Sequence, residues 1–173
     1  MPTHYQRGWH ITATCGIFGA AAACARLLGL DAQRTAWALG HAATQSASLV
    51  ESIGSMAKSL GVGNAAKNGL AAALFAEGGF SGPESPIEGR YGFAAVTSDS
   101  ADLARIADGI GQRWEVLNNA YKPYPCGVVL FPVIVRGRTP DAARPVRTVP
   151  ARQAPPGASP FRDACRRIRG HWR

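Results

Sequence analysis

Residues Thr12–Ala43, TATCGIFGAAAACARLLGLDAQRTAWALGHAA, decide the fold class of this chain. The stretch is apolar, but its bulk comes from alanine and glycine rather than from large side chains. Thr12–Leu30 reads as one helix, with Gly29 near its C-terminal cap and Asp31 placed to cap the next. Asp31–Ala43 reads as a second helix, because Ala36, Leu39 and Ala43 recur at three-to-four spacing. A third helix is expected over Asn64–Glu77, apolar at Leu70, Ala73 and Leu74, preceded by Gly61 and Gly63 and ended by Gly78-Gly79. So many small residues imply helices in close backbone approach, with little room for larger side chains.

Further along, Pro83 to Gly92 is a connection punctuated by proline and glycine. Asp99 or Ser100 is placed to cap a short helix running to Gly109, with Leu103, Ile106 and Ile110 on one face. Trp114-Glu115-Val116-Leu117 has strand character, and Gly127 to Ile134 is apolar enough to start another helix. The expected class is mainly α, with a mixed α/β unit starting near Gln112. No internal repeat is present.

The whole chain has 173 residues, 18.2 kDa, 46% hydrophobic and 17% charged residues, and a formal net charge of +8. That length suits one domain or slightly more, and the apolar content excludes a wholly disordered chain. The charge is unevenly placed. Residues 1–133 carry nine cations and nine anions, whereas residues 134–173 carry ten arginines against Asp141 and Asp163. Those last forty residues hold no lysine and no glutamate, and six prolines from Pro140 to Pro160. They read as a disordered basic tail, or as the product of a reading-frame change in a GC-rich gene. A nucleic-acid partner is disfavoured, since the charge that suggests one is confined to this tail.

The N-terminal ten residues lack the layout of a signal peptide. The longest apolar run, Cys15 to Ala25, is eleven residues, short of the roughly 20 a membrane span requires. No membrane partner is expected. Cys15, Cys24, Cys126 and Cys165 form no C-x-x-C pair and no ligand-like spacing with His4, His10, His41 or His171. Reduced, mostly buried thiols in a cytoplasmic protein are the expectation, with no metal. There is no G-x-S-x-G elbow and no Gly-Lys-Ser/Thr of a phosphate-binding loop. Gly61-x-Gly63 reads either as a plain turn before a helix or as a helix N-terminus facing an anion.

Three segments carry more chemistry than helix packing needs. They are Arg7-Gly8-Trp9-His10-Ile11-Thr12, Gly54-Ser55-Met56-Ala57-Lys58 and Tyr121-Lys122-Pro123-Tyr124-Pro125-Cys126. Each sets one titratable group (His10, Lys58, Lys122) among glycine, aromatic or proline residues at an element end. Cations on a stiff backbone suit a small polycarboxylate, with a histidine nearby to move a proton. The plainer alternatives are a histidine at a helix start and two solvated surface lysines.

From Gly8 to about Val133, including GWHITATCGIFG, GSMAKSLGVG and RWEVLNNAYKPYPCG, the chain resembles the MmgE/PrpD family. Its members include 2-methylcitrate dehydratase, cis-aconitate decarboxylase and iminodisuccinate epimerase. The resemblance implies a large all-helical domain and a smaller α/β domain with the active site between them. It also implies no cofactor, no metal, a homodimer, and a small di- or tricarboxylic acid as substrate. By position, His10 matches the histidine of the family's G-[FW]-H-x-T segment, Lys58 the lysine of M-x-K-x-L, and Lys122 that of K-x-Y-P. The implied chemistry is proton abstraction beside a carboxylate, followed by loss of water or carbon dioxide. The lysines would hold carboxylates and offset charge in the transition state, and the histidine would carry the proton.

The departures are specific. Where a histidine usually follows the K-x-Y-P segment, this chain has Phe131 at the best-matching position. The His-Pro-Gly that often follows the Lys58 segment reads Gly61-Val62-Gly63. Only seven residues precede Gly8, and the likeness stops at Ile134. The expectation is therefore an internal fragment: residues 1–111 part of the helical domain, 112–133 the start of the α/β domain, and 134–173 the tail. A lyase with an incomplete active site, inactive alone, follows. The competing expectation is a non-enzymatic helical module whose tail binds nucleic acid or an acidic partner.

Overall fold

The structure, a computed structural model, describes residues 3–127 and 130–137. Its helices are α1 (Thr3–Gln6), α2 (Ile11–Thr14), α3 (Gly16–Leu27), α4 (Ala32–Thr44), α5 (Met56–Glu77), α6 (Phe93–Thr97) and α7 (Phe131–Gly137). Short 3-10 turns cover Val50–Ser52, Leu103–Ile106 and Glu115–Asn118. The described residues are mainly α-helical, as the sequence implies. Contacts divide the chain into two units, Met1–Trp114 and Glu115–Arg173.

In the first unit α3, α4 and α5 pack against one another, and α2 packs on α3 and α5. The core is built from alanine. Ala13, Ile17, Ala21, Ala42, Ala65 and Ala72 form one buried cluster, with Phe18 and Leu39 against it. Ala25, Ala38, Ala73 and Ala76 form a second, flanked by Cys24, Leu30 and Trp37. The α3 contributors Ile17, Ala21 and Ala25 fall every fourth residue, one face of a helix. Methyl groups bury little area each, so stability depends on how closely the backbones approach. Gly69 of α5 sets that approach: a Cβ there would lie 2.5 Å from the Ala20 Cβ and 2.8 Å from the Ile17 carbonyl oxygen.

The helix ends follow sequence signals. Asp31 is extended at φ −68°, ψ 174°, and its carboxylate accepts the Arg34 amide at 2.8 Å, capping α4. After α3, Gly29 takes φ +69°, its amide reaches Arg26 and the Leu30 amide reaches Ala25, which is a Schellman motif. Gly79 repeats it after α5, at φ +87°, with the Phe80 amide on Phe75.

Several expectations are corrected. Among the described residues the cysteines are not mostly buried: Cys15 is exposed, and Cys24 and Cys126 are partly so, because the alanines take the core positions. The helix expected over Thr12–Leu30 is two helices, α2 and α3, separated at Cys15. The Thr14 carbonyl accepts the Ser46 hydroxyl at 2.8 Å, and the Phe18 amide bonds Cys15 one residue short of the α-helical partner. The third helix starts at Met56 rather than Asn64. Gly61 and Gly63 are thus helix interior, neither a turn nor an anion-facing terminus. Glycine costs about 1 kcal/mol in such a position, and Gly61 has a steric reason: a Cβ would lie 2.7 Å from the Ser48 hydroxyl oxygen. The helix expected from Asp99 or Ser100 to Gly109 is only the 3-10 turn Leu103–Ile106, and the Asp99 carboxylate pairs with Arg7 instead of capping.

The strand expected at Trp114–Leu117 is the 3-10 turn Glu115–Asn118. Among the described residues there is no strand for it to pair with, and an unpaired strand leaves its amides unsatisfied. Residues 134–137, placed in the tail by composition, belong to α7. Residues 138–173, most of the Arg/Pro-rich tail, lie outside the described residues, and so do the expectations about its order and reading frame.

Candidate functional site

His10 is the extended residue before α2, at φ −82°, ψ 99°, and is only 5% exposed. Its main chain is held on both sides. The His10 amide donates to the Ser48 carbonyl at 3.0 Å, while its carbonyl accepts the Ala13 and Thr14 amides and the Thr14 hydroxyl. The segments on either side reinforce this. Trp9 and Leu49 form an isolated antiparallel bridge, and the Val50 amide donates to Gly8 at 2.7 Å. Within this fixed frame the ring nitrogen Nδ1 is buried with no hydrogen-bond partner. Burying a polar nitrogen unpaired is costly unless something else, such as a ligand, uses it.

A second histidine lies alongside. His4 is 8% exposed, and its Nε2 is 2.8 Å from the Thr14 hydroxyl. Its ring stacks near Trp9 and meets Phe93 of α6. Burial pushes the His4 pKa below its ordinary value, partly opposed by a hydrogen bond to the Thr97 main chain. The Thr14 hydroxyl is hydrogen-bonded to His4 Nε2 and also donates to the His10 carbonyl, so the two histidines share one threonine.

Lys58 is half-buried in the first turn of α5. That helix has 22 residues, and its preceding residue Ser55 makes no side-chain cap. The Ser55 hydroxyl turns back to the Ser52 carbonyl at 2.7 Å. A lysine at the positive end of a helix dipole is electrostatically unfavourable by itself, and an incoming anion reverses that sign. Lys122 belongs to the second unit and is exposed there, in a segment without regular structure. The structure thus brings His10 and Lys58 into one unit, at the starts of two helices that pack together.

Two open clefts lie in this unit. One, of about 520 Å³, is lined by apolar and aromatic groups including Trp9, Pro83, Pro86, Tyr91 and Phe93. The other, of about 500 Å³, mixes hydrogen-bonding side chains such as Gln45, Ser48, Glu51 and Asn64 with the apolar Leu49 and Leu60. Ala57, the neighbour of Lys58, and Ala13 of α2 also line it. Among the described residues, no three His, Cys, Asp or Glu side chains converge as a metal site would require.

With His10 fixed in its G-W-H-x-T segment and Lys58 in M-x-K-x-L, comparison with known proteins is decisive. The MmgE/PrpD N-terminal domain matches residues 1–106. The chain belongs to the MmgE/PrpD family. It is 33% identical over 149 residues to a cis-aconitate decarboxylase of Aspergillus terreus, covering 79% of this chain and 30% of that protein. A cis-aconitate decarboxylase from A. terreus strain NIH 2624 / FGSC A1156 is 33% identical over 137 residues, 74% of this chain and 28% of its own length. The cis-aconitate decarboxylase-like protein oryM of Aspergillus oryzae is 31% identical over 129 residues, 70% of this chain and 27% of its own. The chain therefore spans about 30% of the length of these MmgE/PrpD relatives.

Sequence reasoning singled out His10 and Lys58 but missed His4, Thr14 and Ser48. His4 was weighed only as a metal ligand. Nothing in the order of residues indicates that His4 and Thr14 would meet, or that Ser48 would hold the His10 main chain.

Proposed function

We propose that this chain carries part of the active site of a cofactor-free lyase acting on a small di- or tricarboxylic acid, by dehydration or decarboxylation. The supporting observation is the buried, unpartnered Nδ1 of His10, in a chain related to cis-aconitate decarboxylases. In this reading His10 moves a proton at the carbon beside a substrate carboxylate. Lys58, backed by the positive end of α5, holds a carboxylate and offsets the charge that develops. Lys122, in the second unit, is the family motif's other candidate cation for a substrate carboxylate. The protein works in the cytoplasm, as a homodimer like its family, without metal or nucleic acid. No helix among the described residues is long and apolar enough to cross a membrane.

The chain alone does not turn substrate over, because it spans about 30% of its relatives' length. The test is titration of the purified 173-residue chain with cis-aconitate and 2-methylcitrate, with product followed in parallel. Saturable binding without turnover, lost in Lys58→Ala, is the expected result. Absence of binding overturns the reading of the site; turnover abolished by Lys58→Ala overturns only the statement of inactivity.

A further inference from the structure

Ser48 is the only non-glycine residue with a left-handed backbone among the described residues, at φ +148°. Its Cβ makes that conformation unfavourable, and such strain persists only where surrounding contacts enforce it. Those contacts are specific. The Ser48 carbonyl accepts the His10 amide at 3.0 Å. Two residues before it, the Ser46 hydroxyl donates to Thr14, and two residues after it, the Val50 amide donates to Gly8. The bridge between Trp9 and Leu49 adjoins both. On its other side Ser48 presses on α5, where only a glycine at position 61 leaves space for its hydroxyl. Ser48 also lines the second cleft.

We infer that Ser48 is a positioning residue for His10: its strained backbone aims one carbonyl at the histidine's amide and holds the main chain from which the ring projects. This rests on the proposed role of His10 as the proton carrier. The physical logic is a clamp. Any backbone shift that relaxed Ser48 toward ordinary φ would rotate its carbonyl away from His10 and release that side of the histidine's main chain. A glycine at the same position adopts the conformation without strain but resists displacement less.

The experiment uses the full chain with histidine labelled in ring and main chain, followed by NMR at fixed pH, with His→Asn variants assigning each signal. Ser48→Gly is expected to leave the melting temperature equal or higher, while the His10 amide exchanges with solvent about tenfold faster and the His10 ring signal moves and sharpens. The His41 signal should not change. Ser48→Ala keeps the strain and the carbonyl, so its His10 signals should match the parent chain. Unchanged His10 signals in Ser48→Gly overturn the inference, because a merely structural residue would alter only the melt. Adding cis-aconitate to the parent chain separates the two readings. A His10 signal that ignores cis-aconitate counts against the lyase reading, whereas the Ser48 variants alone decide whether Ser48 holds His10.

Discussion

His4 Nε2 stands 2.8 Å from the Thr14 hydroxyl, joining the first helix to the residue that ends the second. The same threonine donates to the His10 carbonyl, so the N-terminal segment and the candidate site share one hydroxyl group.

That relationship makes stability depend on pH. Burial lowers the His4 pKa below its ordinary 6.5 in the folded chain. Above that value His4 is neutral folded or unfolded, and the fold has its full stability. As pH falls below 6.5 the unfolded chain takes up the proton first, so folding loses ground until the lower folded pKa is passed. Melting temperatures measured from pH 8 down to pH 5 should fall more steeply for the parent chain than for His4→Asn. Parallel curves would count against His4 as the source.

Gly69 and Gly63 lie in one helix and should respond with opposite sign. Gly69→Ala forces a methyl group to 2.5 Å from Ala20 and 2.8 Å from the Ile17 main chain. Overpacking of about 1–3 kcal/mol outweighs the roughly 1 kcal/mol gain in helix propensity. Gly63→Ala meets nothing within 4 Å, so only the propensity gain of about 0.5–1 kcal/mol remains. Urea denaturation of both variants decides the matter.

Among the described residues, Ile17 and Thr14 are the largest fully buried side chains. In a core otherwise made of alanine, Ile17→Ala removes much of the bulk holding α3 to its neighbours. A loss of about 2–5 kcal/mol is expected, against about 0.5–1.5 for Ile17→Val. Equal losses in the two variants would mean that the site collapses around the smaller side chain.

The cap on α4 gives a smaller effect. Asp31→Ala removes the 2.8 Å bond to the Arg34 amide and should cost about 0.5–2 kcal/mol, readable as a lower denaturation midpoint with an unchanged slope. By contrast, Arg7→Ala breaks a pair whose side chains are 43% and 59% exposed, and solvent screening holds that loss to about 1 kcal/mol or less.

What the sequence determined by itself was local. Alanine periodicity, the Asp31 cap and the glycines after α3 and α5 fixed helix identity and ends, because each acts within one turn of the chain. Family motifs marked His10, Lys58 and Lys122, since those segments are readable as strings. Tertiary structure decided the rest. Gly61 and Gly63 looked like a break, yet packing against the Ser48 loop carries α5 through them. Trp114–Leu117 had strand composition but no partner strand among the described residues. The left-handed Ser48 and the meeting of His4 with Thr14 arise from contacts between residues 10 to 42 apart in the chain. Such contacts are set by three-dimensional packing, and no short-range propensity encodes them.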